Sequence, residues 1–151
     1  MADVTGIIEL DYLYNASDKL YSRFARSCGL STCAYWMMYD LEQADGSAPL
    51  TRISCSWAYS KQTISSALKS LEARGLIELE YVEGSRRNKL ARLTAEGDAF
   101  VARHIRPAME AEARALATFE PEERETMMAL TRKLVRALEA EFEAMREAED
   151  E

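Results

Sequence analysis

The segment from Ser60 to Ile77, SKQTISSALKSLEARGLI, constrains the fold more than any other part of the chain. Ser60 is a suitable helix N-cap because its hydroxyl can accept a hydrogen bond from an unpaired backbone N–H. Gly75 stands where a helix that ends in a left-handed residue favours glycine. Between them, apolar residues at positions i, i+3, i+4 and i+7 predict a buried face made of Ile64, Ala67, Leu68 and Leu71. The segment therefore predicts one short amphipathic helix with defined ends.

The opposite face of this predicted helix carries amides, hydroxyls and a cation, but no carboxylate. Its residues are Gln62, Thr63, Ser65, Ser66 and Lys69. A solvated helix face usually mixes Glu with Lys, whereas these side chains suit hydrogen bonding to base edges and phosphates in a DNA major groove. A polar helix that simply lacks acids is the alternative interpretation of this segment taken by itself.

The neighbouring segments give this helix a context. A short helix over about 49–56, joined to it by the turn Trp57–Tyr59, predicts a helix-turn-helix. After Gly75 the apolar period changes from 3.6 to 2, which predicts strands over 76–82 and 89–93 and a hairpin with Gly84 in its turn. Two arginines at the hairpin tip, Arg86 and Arg87, favour contact with phosphates or a minor groove. A solvated surface hairpin is the alternative.

The distribution of charge matters more than its total. The chain has 151 residues and a net charge of −7, which is unusual for a nucleic-acid binder. Between Pro49 and Arg92, however, eight cations and four acids give +4, and the rest of the chain carries −11. This asymmetry indicates a basic module inside an acidic frame.

Helices are predicted on both sides of the basic module. Apolar spacing predicts one helix over Ile7–Arg26 and an aromatic-rich one over about Ser31–Gln43. A long helix is predicted from Ala95 to about Thr118, with a kink or break near Pro107. The last helix, about Pro121–Ala148, is too long to pack along its whole length against a small domain, so we expect its apolar stripe to pair with another helix. The stripe consists of Met127, Leu130, Leu134, Leu138, Phe142 and Met145.

Several short motifs occur in the order and spacing of one known family. They are Ile53-Ser54 followed by Trp57, then Tyr59-Ser60, Leu71-Glu72-Ala73-Arg74-Gly75-Leu76-Ile77, the Arg86-Arg87 turn, and Leu93-Thr94-Ala95-Glu96-Gly97. In these motifs the chain resembles MarR-family transcriptional regulators, and the match extends to the flanking helices. The wing of that family commonly has an aspartate immediately before the two arginines, where this chain has Ser85.

The resemblance implies a mainly α fold with a small β-hairpin wing, classed as α+β. It implies a winged helix-turn-helix domain over residues 31–97, with residues 1–30 and the long C-terminal helices of residues 98–151 forming a dimerisation region. The implied partners are double-stranded DNA and a second copy of the chain. Such a homodimer reads a pseudo-palindromic operator, and repression is the commoner outcome in the family.

Residue type and position together select the candidate DNA contacts. Gln62 and Ser66 are the best candidates for base edges because they lie on the polar face of the predicted recognition helix. Three cations, Arg86, Arg87 and Lys89, are expected to reach the DNA backbone or the adjacent minor groove. The full predicted set is Arg52, Ser60, Lys61, Gln62, Thr63, Ser65, Ser66, Lys69, Arg86, Arg87 and Lys89.

Regulators of this family are usually relieved by a small molecule, often an aromatic acid or a phenol. The aromatic segment Tyr35–Tyr39 could line a pocket for such an effector, together with the first helix and the long helix. The alternative is that these side chains belong to the core and to the dimer contact. The candidate pocket residues are Tyr12, Tyr35, Trp36, Tyr39, His104 and Met109.

Other triggers and other classes of function have weaker signals. Cys28 or Cys33 could sense oxidants, with Arg26 lowering a thiol pKa, although small core thiols are the usual explanation of such residues. His104 is the only histidine, so no metal-ligand spacing is recognisable and no cofactor is expected. No glycine-rich phosphate loop or nucleophile elbow occurs, so no enzyme is expected. A helical protein-interaction module without DNA binding is the remaining alternative, and the +4 segment argues against it.

The location of the protein is predicted from its apolar runs, its first residues and its cysteines. No apolar run approaches the roughly 18 residues that span a bilayer. The first residues, MADVTGIIELDY, carry acids where a secretory signal carries Lys or Arg. The three cysteines are odd in number and do not form a disulfide framework. We therefore expect a cytoplasmic protein with reduced thiols and no membrane partner.

Overall fold

The structure is a computed structural model that describes residues 5–55, 59–82, 84–85 and 88–149. It is mainly helical with one small antiparallel sheet, which confirms the predicted fold class. Its elements in chain order are α1 (Thr5–Ser27), α2 (Thr32–Gln43), β1 (Ser47–Pro49), α3 (Leu50–Cys55), α4 (Lys61–Ala73), β2 (Ile77–Tyr81), β3 (Lys89–Leu93), α5 (Ala95–Phe100), a π-helical turn (Val101–Ile105), α6 (Arg106–Leu116) and α7 (Pro121–Glu149).

The chain forms two compact units, one up to Ala108 and one from Met109 onward. The first unit contains α1 to α5, the sheet and the π-helical turn. The second contains most of α6 and the whole of α7. The sequence-based division at residues 30 and 97 concerns functional regions and stays a prediction.

Helix α2 lies at the centre of the first unit. Ser31 caps it, since its hydroxyl accepts a hydrogen bond from the backbone N–H of Ala34 at 3.2 Å. Most residues of α2 are buried, because the helix packs against α1, α4 and the π-helical turn. The largest fully buried side chains of the core are Tyr35, Met38, Leu41, Leu71, Val101 and Ile105. The core of this unit therefore joins α2 to α4 and to the helix that follows the sheet.

The sheet has three strands in the order β1-β3-β2, where the sequence analysis predicts a two-stranded hairpin. The additional strand β1 pairs with β3, with Ala48 opposite Ala91. Pro49 is the last residue of β1, so its predicted place inside the first turn of the following helix is wrong by one residue, and α3 begins at Leu50. Proline is tolerated there because β1 is an edge strand.

The irregularity that Pro107 predicts in the long helix is a π-helical turn. Val101–Ile105 is π-helical, and the backbone N–H of Arg106 donates to the carbonyl of Val101. A proline cannot donate a hydrogen bond, and its ring clashes with the carbonyl four residues earlier. A wider, π-helical turn before Pro107 is one way in which a helix accommodates the missing hydrogen bond and the proline ring.

In the second unit, α7 begins as its sequence predicts. Pro121 is its first residue, and Glu123 accepts a hydrogen bond from the backbone N–H of Glu120 at 2.9 Å. Throughout the described ranges, no helix combines the length and apolar character that crossing a membrane requires.

Candidate nucleic-acid interface

Helix α4 starts and ends where its sequence predicts. Ser60 has an extended backbone and accepts a hydrogen bond from the N–H of Thr63 at 3.2 Å, and the hydroxyls of these two residues lie 2.8 Å apart. At the other end Gly75 has a φ of +67°, which is the left-handed conformation that favours glycine. These two caps fix the ends of the helix and so fix which side chains each face presents.

The two faces of α4 separate as the periodicity predicts. Ala67, Leu68 and Leu71 are buried, and Ile64 is half-buried. The other side is exposed to solvent and is called here the α4 polar face, which consists of Lys61, Gln62, Thr63, Ser65, Ser66 and Lys69. All six are candidate DNA contacts by sequence, and the structure brings them together on one continuous surface.

The α4 polar face is electrostatically suited to an anion. The first turn of α4 contains no acid, so the partial positive charge of the helix N-terminus is not offset there. Within the described part of the chain, neither Lys61 nor Lys69 forms an ion pair, so both charges are available to a ligand. A phosphate backbone approaching the N-terminal half of this face would meet cations, hydroxyls and the amide of Gln62, whereas the exposed carboxylate of Glu72 lies at the other end of the helix.

A groove of about 430 Å³ runs along one side of this face. It is lined by Gln62, Thr63 and Ser66 of α4, and also by Ser31 at the start of α2 and by Ser70. Sequence reasoning missed Ser31 and Ser70 as members of this surface. Ser31 is recognisable only as a helix cap until the fold brings the start of α2 beside α4, whereas Ser70 follows Ser66 at i+4 and could have been found from spacing.

The wing is built from β2 and β3. Tyr81 stands opposite Lys89 in the register, and the Lys89 ammonium lies 5.2 Å from the centre of the Tyr81 ring. Tyr81 is exposed although it lies on the same face of the hairpin as the buried Ile77. Lys89 is therefore held by a ring at the solvent end of the wing, and Tyr81 is a neighbour that the sequence analysis did not single out.

The tip of the wing is only partly described. Gly84 has a φ of +77°, and the hydroxyl of Ser85 accepts a hydrogen bond from the backbone N–H of Asn88 at 3.0 Å. Ser85 thus stabilises the turn. The predicted contacts Arg86 and Arg87 lie outside the described residues, as does the Trp57–Ala58 part of the helix-turn-helix turn. The remaining candidate, Arg52, is exposed on α3.

The candidate effector residues lie in different surroundings. Tyr35 is fully buried in the core, and Trp36 and Tyr39 pack beside it with ring centres 5.4 Å apart. Tyr12 is 74% exposed and borders an apolar groove of about 360 Å³ that is formed by α1 alone.

The last two candidates lie near the boundary between the units. His104 packs on Phe100 with ring centres 4.6 Å apart, and burial, followed by the charges of Arg103 and Arg74, lowers the pKa of His104. Met109 belongs to the second unit. The packing of Tyr35 favours the core interpretation for that residue, and the pocket as a whole stays a prediction.

The buried thiols do not have the surroundings of reactive cysteines. Cys28 and Cys33 are both free and buried, and burial raises the pKa of the Cys33 thiol. A raised pKa lowers the fraction of the nucleophilic thiolate at neutral pH. Across the described ranges, no group of three or more His, Cys, Asp or Glu side chains is arranged to hold a metal ion.

Comparison with solved structures places the fold among known regulators. A MarR family regulator from Neisseria meningitidis is 26% identical and superposes with a TM-score of 0.75, covering 93% of this chain and 96% of its own. AbsC, a MarR family transcriptional regulator from Streptomyces coelicolor, is 19% identical with a TM-score of 0.72, covering 93% and 97%. The MepR–DNA complex of S. aureus is 19% identical with a TM-score of 0.68, covering 91% and 98%.

Comparisons of sequence alone give no further assignment. No protein-family profile matches this chain, and no curated protein matches it. The structural similarity extends over nearly the whole chain and agrees with the motifs between Ile53 and Gly97.

Proposed function

We propose that this chain, a MarR-family winged helix-turn-helix regulator, binds a pseudo-palindromic operator as a homodimer and acts there as a repressor. The observation that carries the proposal is the α4 polar face, an exposed and carboxylate-free surface that faces away from a well-packed core. Folded domains do not need such a surface for stability, whereas a recognition helix needs it to approach bases and phosphates.

In this proposal α4 enters the major groove with its N-terminal half. Gln62 is the one residue of the α4 polar face that can form two hydrogen bonds with an adenine edge, and Ser66 can donate to or accept from either base of a pair. Lys61 and Lys69 contact phosphates, and the wing reaches the neighbouring backbone or minor groove through Lys89 and the arginines of its tip. Hydroxyl groups dominate this face, so DNA shape contributes part of the specificity.

The apolar surface of α1 supports self-association. Several large apolar side chains of this helix face solvent, and Tyr12, Leu13 and Leu20 are each more than half exposed. Contiguous exposed apolar surface of this kind marks an interaction site in a protein that remains dissolved. A second copy of the chain is the partner that also explains a palindromic operator.

Helix α7 has the same property in the second unit. Leu130, Phe142 and Met145 are 60%, 64% and 62% exposed, and they belong to the stripe that the sequence analysis expects to pair with another helix. Burial of such a stripe against a symmetry mate would stabilise the dimer at roughly 25 cal/mol for each Å² of apolar surface removed from water.

We also propose that a small aromatic acid or phenol releases the protein from DNA. The support is the cluster of rings formed by Tyr21, Trp36 and Tyr39 on α1 and α2, and all three rings are only half-buried. A bound aromatic ligand should quench tryptophan fluorescence and lower operator affinity in parallel. The absence of both responses across a panel of aromatic acids and phenols would remove this part of the proposal.

The function is tested by selecting duplexes from a random-sequence library with the purified protein. The proposal predicts an enriched motif with two inverted half-sites about 10 base pairs apart, the spacing of one helical turn. A protein-interaction module without DNA binding would enrich no motif. Gel shifts with the enriched duplex and with a scrambled duplex of equal length then give the specific and non-specific affinities.

Two substitutions should separate reading of bases from contact with the backbone. Gln62→Ala should change the preferred base in each half-site, because its amide is the best candidate for a base edge. Arg87→Ala should weaken binding to all duplexes and reduce the slope of the salt dependence by about one for each phosphate that the arginine neutralises. The measurements are a repeated selection and a titration over several salt concentrations. Equal losses on every sequence from both variants would contradict this division.

A further inference from the structure

The C-terminal end of α4 makes more contacts with the rest of the unit than the capping of a helix requires. Arg74 is the C-cap residue, and Gly75 in its left-handed conformation donates to the carbonyl of Glu72 at 2.8 Å. Leu76 donates to the carbonyl of Leu71 at 3.0 Å. These bonds complete the capping of the helix. Four more contacts surround this end, and none of them is required for capping.

Two of these contacts come from Arg74. Its guanidinium donates to the carbonyl of Gly29 at 2.8 Å, which ties the end of α4 to the turn between α1 and α2. The same guanidinium lies over the ring of Phe100 on α5, 5.3 Å from its centre. The side chain of this C-cap residue therefore connects the end of α4 to the α1–α2 turn and to α5.

The other two contacts come from the start of α5. The hydroxyl of Thr94 donates to the carbonyl of Gly75 at 2.5 Å and accepts from the N–H of Gly97 at 2.9 Å. Gly97 lies so close to the segment after α4 that a Cβ atom there would overlap the carbonyl oxygen of Leu76. Glycine at position 97 allows the backbone of α5 to contact the backbone at Leu76. Any other residue there would force one of the two segments to move.

We propose that these contacts, called here the α4 clamp (Arg74 on Gly29 and Phe100, Thr94 on Gly75, and Gly97 on Leu76), set the angle at which α4 meets DNA. The clamp rests on the function proposed above. Arg74, Thr94 and Gly97 are then positioning residues for operator binding, and they do not touch DNA themselves.

Because α4 is long, a small change in its angle at the clamp moves its N-terminal end by a large distance. Thirteen residues make α4 about 20 Å long at 1.5 Å per residue. A tilt of about 10° at the clamp would move the N-terminal end by about 3 Å, which is the length of a hydrogen bond and enough to break contacts with base edges. Phosphate contacts of flexible lysines tolerate such a movement better than base contacts do. Loosening the clamp should therefore reduce specific binding more than non-specific binding.

The test uses Arg74→Gln in the full-length protein, with Arg103→Gln as a control that removes the same charge from an exposed arginine of the same unit. The probes are a duplex enriched from a random library by the wild-type protein and a scrambled duplex. We expect Arg74→Gln to weaken binding to the enriched duplex about tenfold, comparable to the removal of one good base-edge hydrogen-bond pair. Binding to the scrambled duplex, the salt dependence and the melting temperature should stay close to those of Arg103→Gln. Arg74→Lys should restore part of the specificity, since an ammonium can still reach the Gly29 carbonyl.

Several results would overturn the clamp. A salt dependence flatter by about one unit would mean that Arg74 is itself a phosphate contact. Equal losses on both duplexes, in proportion to a lowered melting temperature, would mean that Arg74 serves stability only. Unchanged specific affinity would remove its role altogether. Gly97→Ala provides a second variant, which should lower specificity in the same way if it folds.

Amide hydrogen exchange separates failure of the clamp from failure of the proposed function. The clamp predicts faster exchange in α4 of Arg74→Gln than in wild type, with exchange in α2 unchanged. If the wild-type protein enriches no duplex, the proposed function fails, and the exchange measurement still decides whether the contacts hold α4. Unchanged exchange in α4 would overturn the clamp independently of any DNA.

Discussion

Replacing Ser66 by glutamate is expected to weaken specific DNA binding roughly a hundredfold while leaving the fold intact. Ser66 is exposed at the middle of the α4 polar face, so the longer side chain can be accommodated without loss of packing. It would bring one carboxylate into each half-site, against phosphates that carry the same sign of charge and against base-edge acceptors with which a carboxylate cannot form hydrogen bonds. Like charges at an interface cost several kcal/mol, and about 3 kcal/mol corresponds to a loss of roughly a hundredfold. Fluorescence anisotropy with the enriched duplex measures the loss directly.

The matched control for Ser66→Glu is Ala99→Glu, which adds the same charge at an exposed position of α5. Its melting temperature and its operator affinity should stay near those of the wild-type protein, apart from a small effect of net charge. If both glutamate variants bound DNA equally well, the α4 polar face would not be the DNA-binding surface.

Replacing Phe142 by aspartate is expected to separate the proposed homodimer into monomers. Phe142 is 64% exposed in the single chain and lies in the apolar stripe of α7. Aromatic side chains at the centre of an interface contribute about 2–4 kcal/mol each, and an aspartate there would also have to lose its hydration. Analytical ultracentrifugation should show a dimer for the wild-type protein and a shift toward monomer for the variant. Operator affinity should fall as the dimer dissociates, because a monomer binds only one half-site at a time.

Ala140→Asp supplies the control, since position 140 is exposed and lies about 200° around α7 from position 142. This variant should sediment as the wild type does. A dimer that survives Phe142→Asp unchanged would indicate that the exposed stripe of α7 is covered in another way.

Local signals made α4 and its two faces predictable from sequence. Ser60 and Gly75 mark the ends of the helix through their own backbone preferences, and the spacing of Ile64 to Leu71 assigns the buried side. These properties depend on residues within one or two turns of each other, so no knowledge of the rest of the fold was needed. The same reasoning placed the α4 polar face correctly on the surface.

Features that depend on distant parts of the chain could not be predicted in this way. Strand β1 exists because Ala48 pairs with Ala91, and three residues ending in proline carry no strand signal of their own. Ser31 joins the groove beside α4 only because α2 packs there. The contact of Gly97 with Leu76 is equally invisible, since a glycine in a sequence does not reveal what approaches it. The sequence therefore indicates the helix that we propose reads DNA, and the structure adds the contacts at its C-terminal end.

Methylation interference on the enriched duplex tests the central claim most directly, because it asks whether α4 reads base edges in the major groove. Methyl groups on guanine N7 project into that groove and should block binding of the wild-type protein in two clusters about 10 base pairs apart. Gln62→Ala should keep both guanine clusters and lose only the preference for adenine at one position of each half-site. Binding that is unaffected by N7 methylation at every guanine of both half-sites would contradict the account.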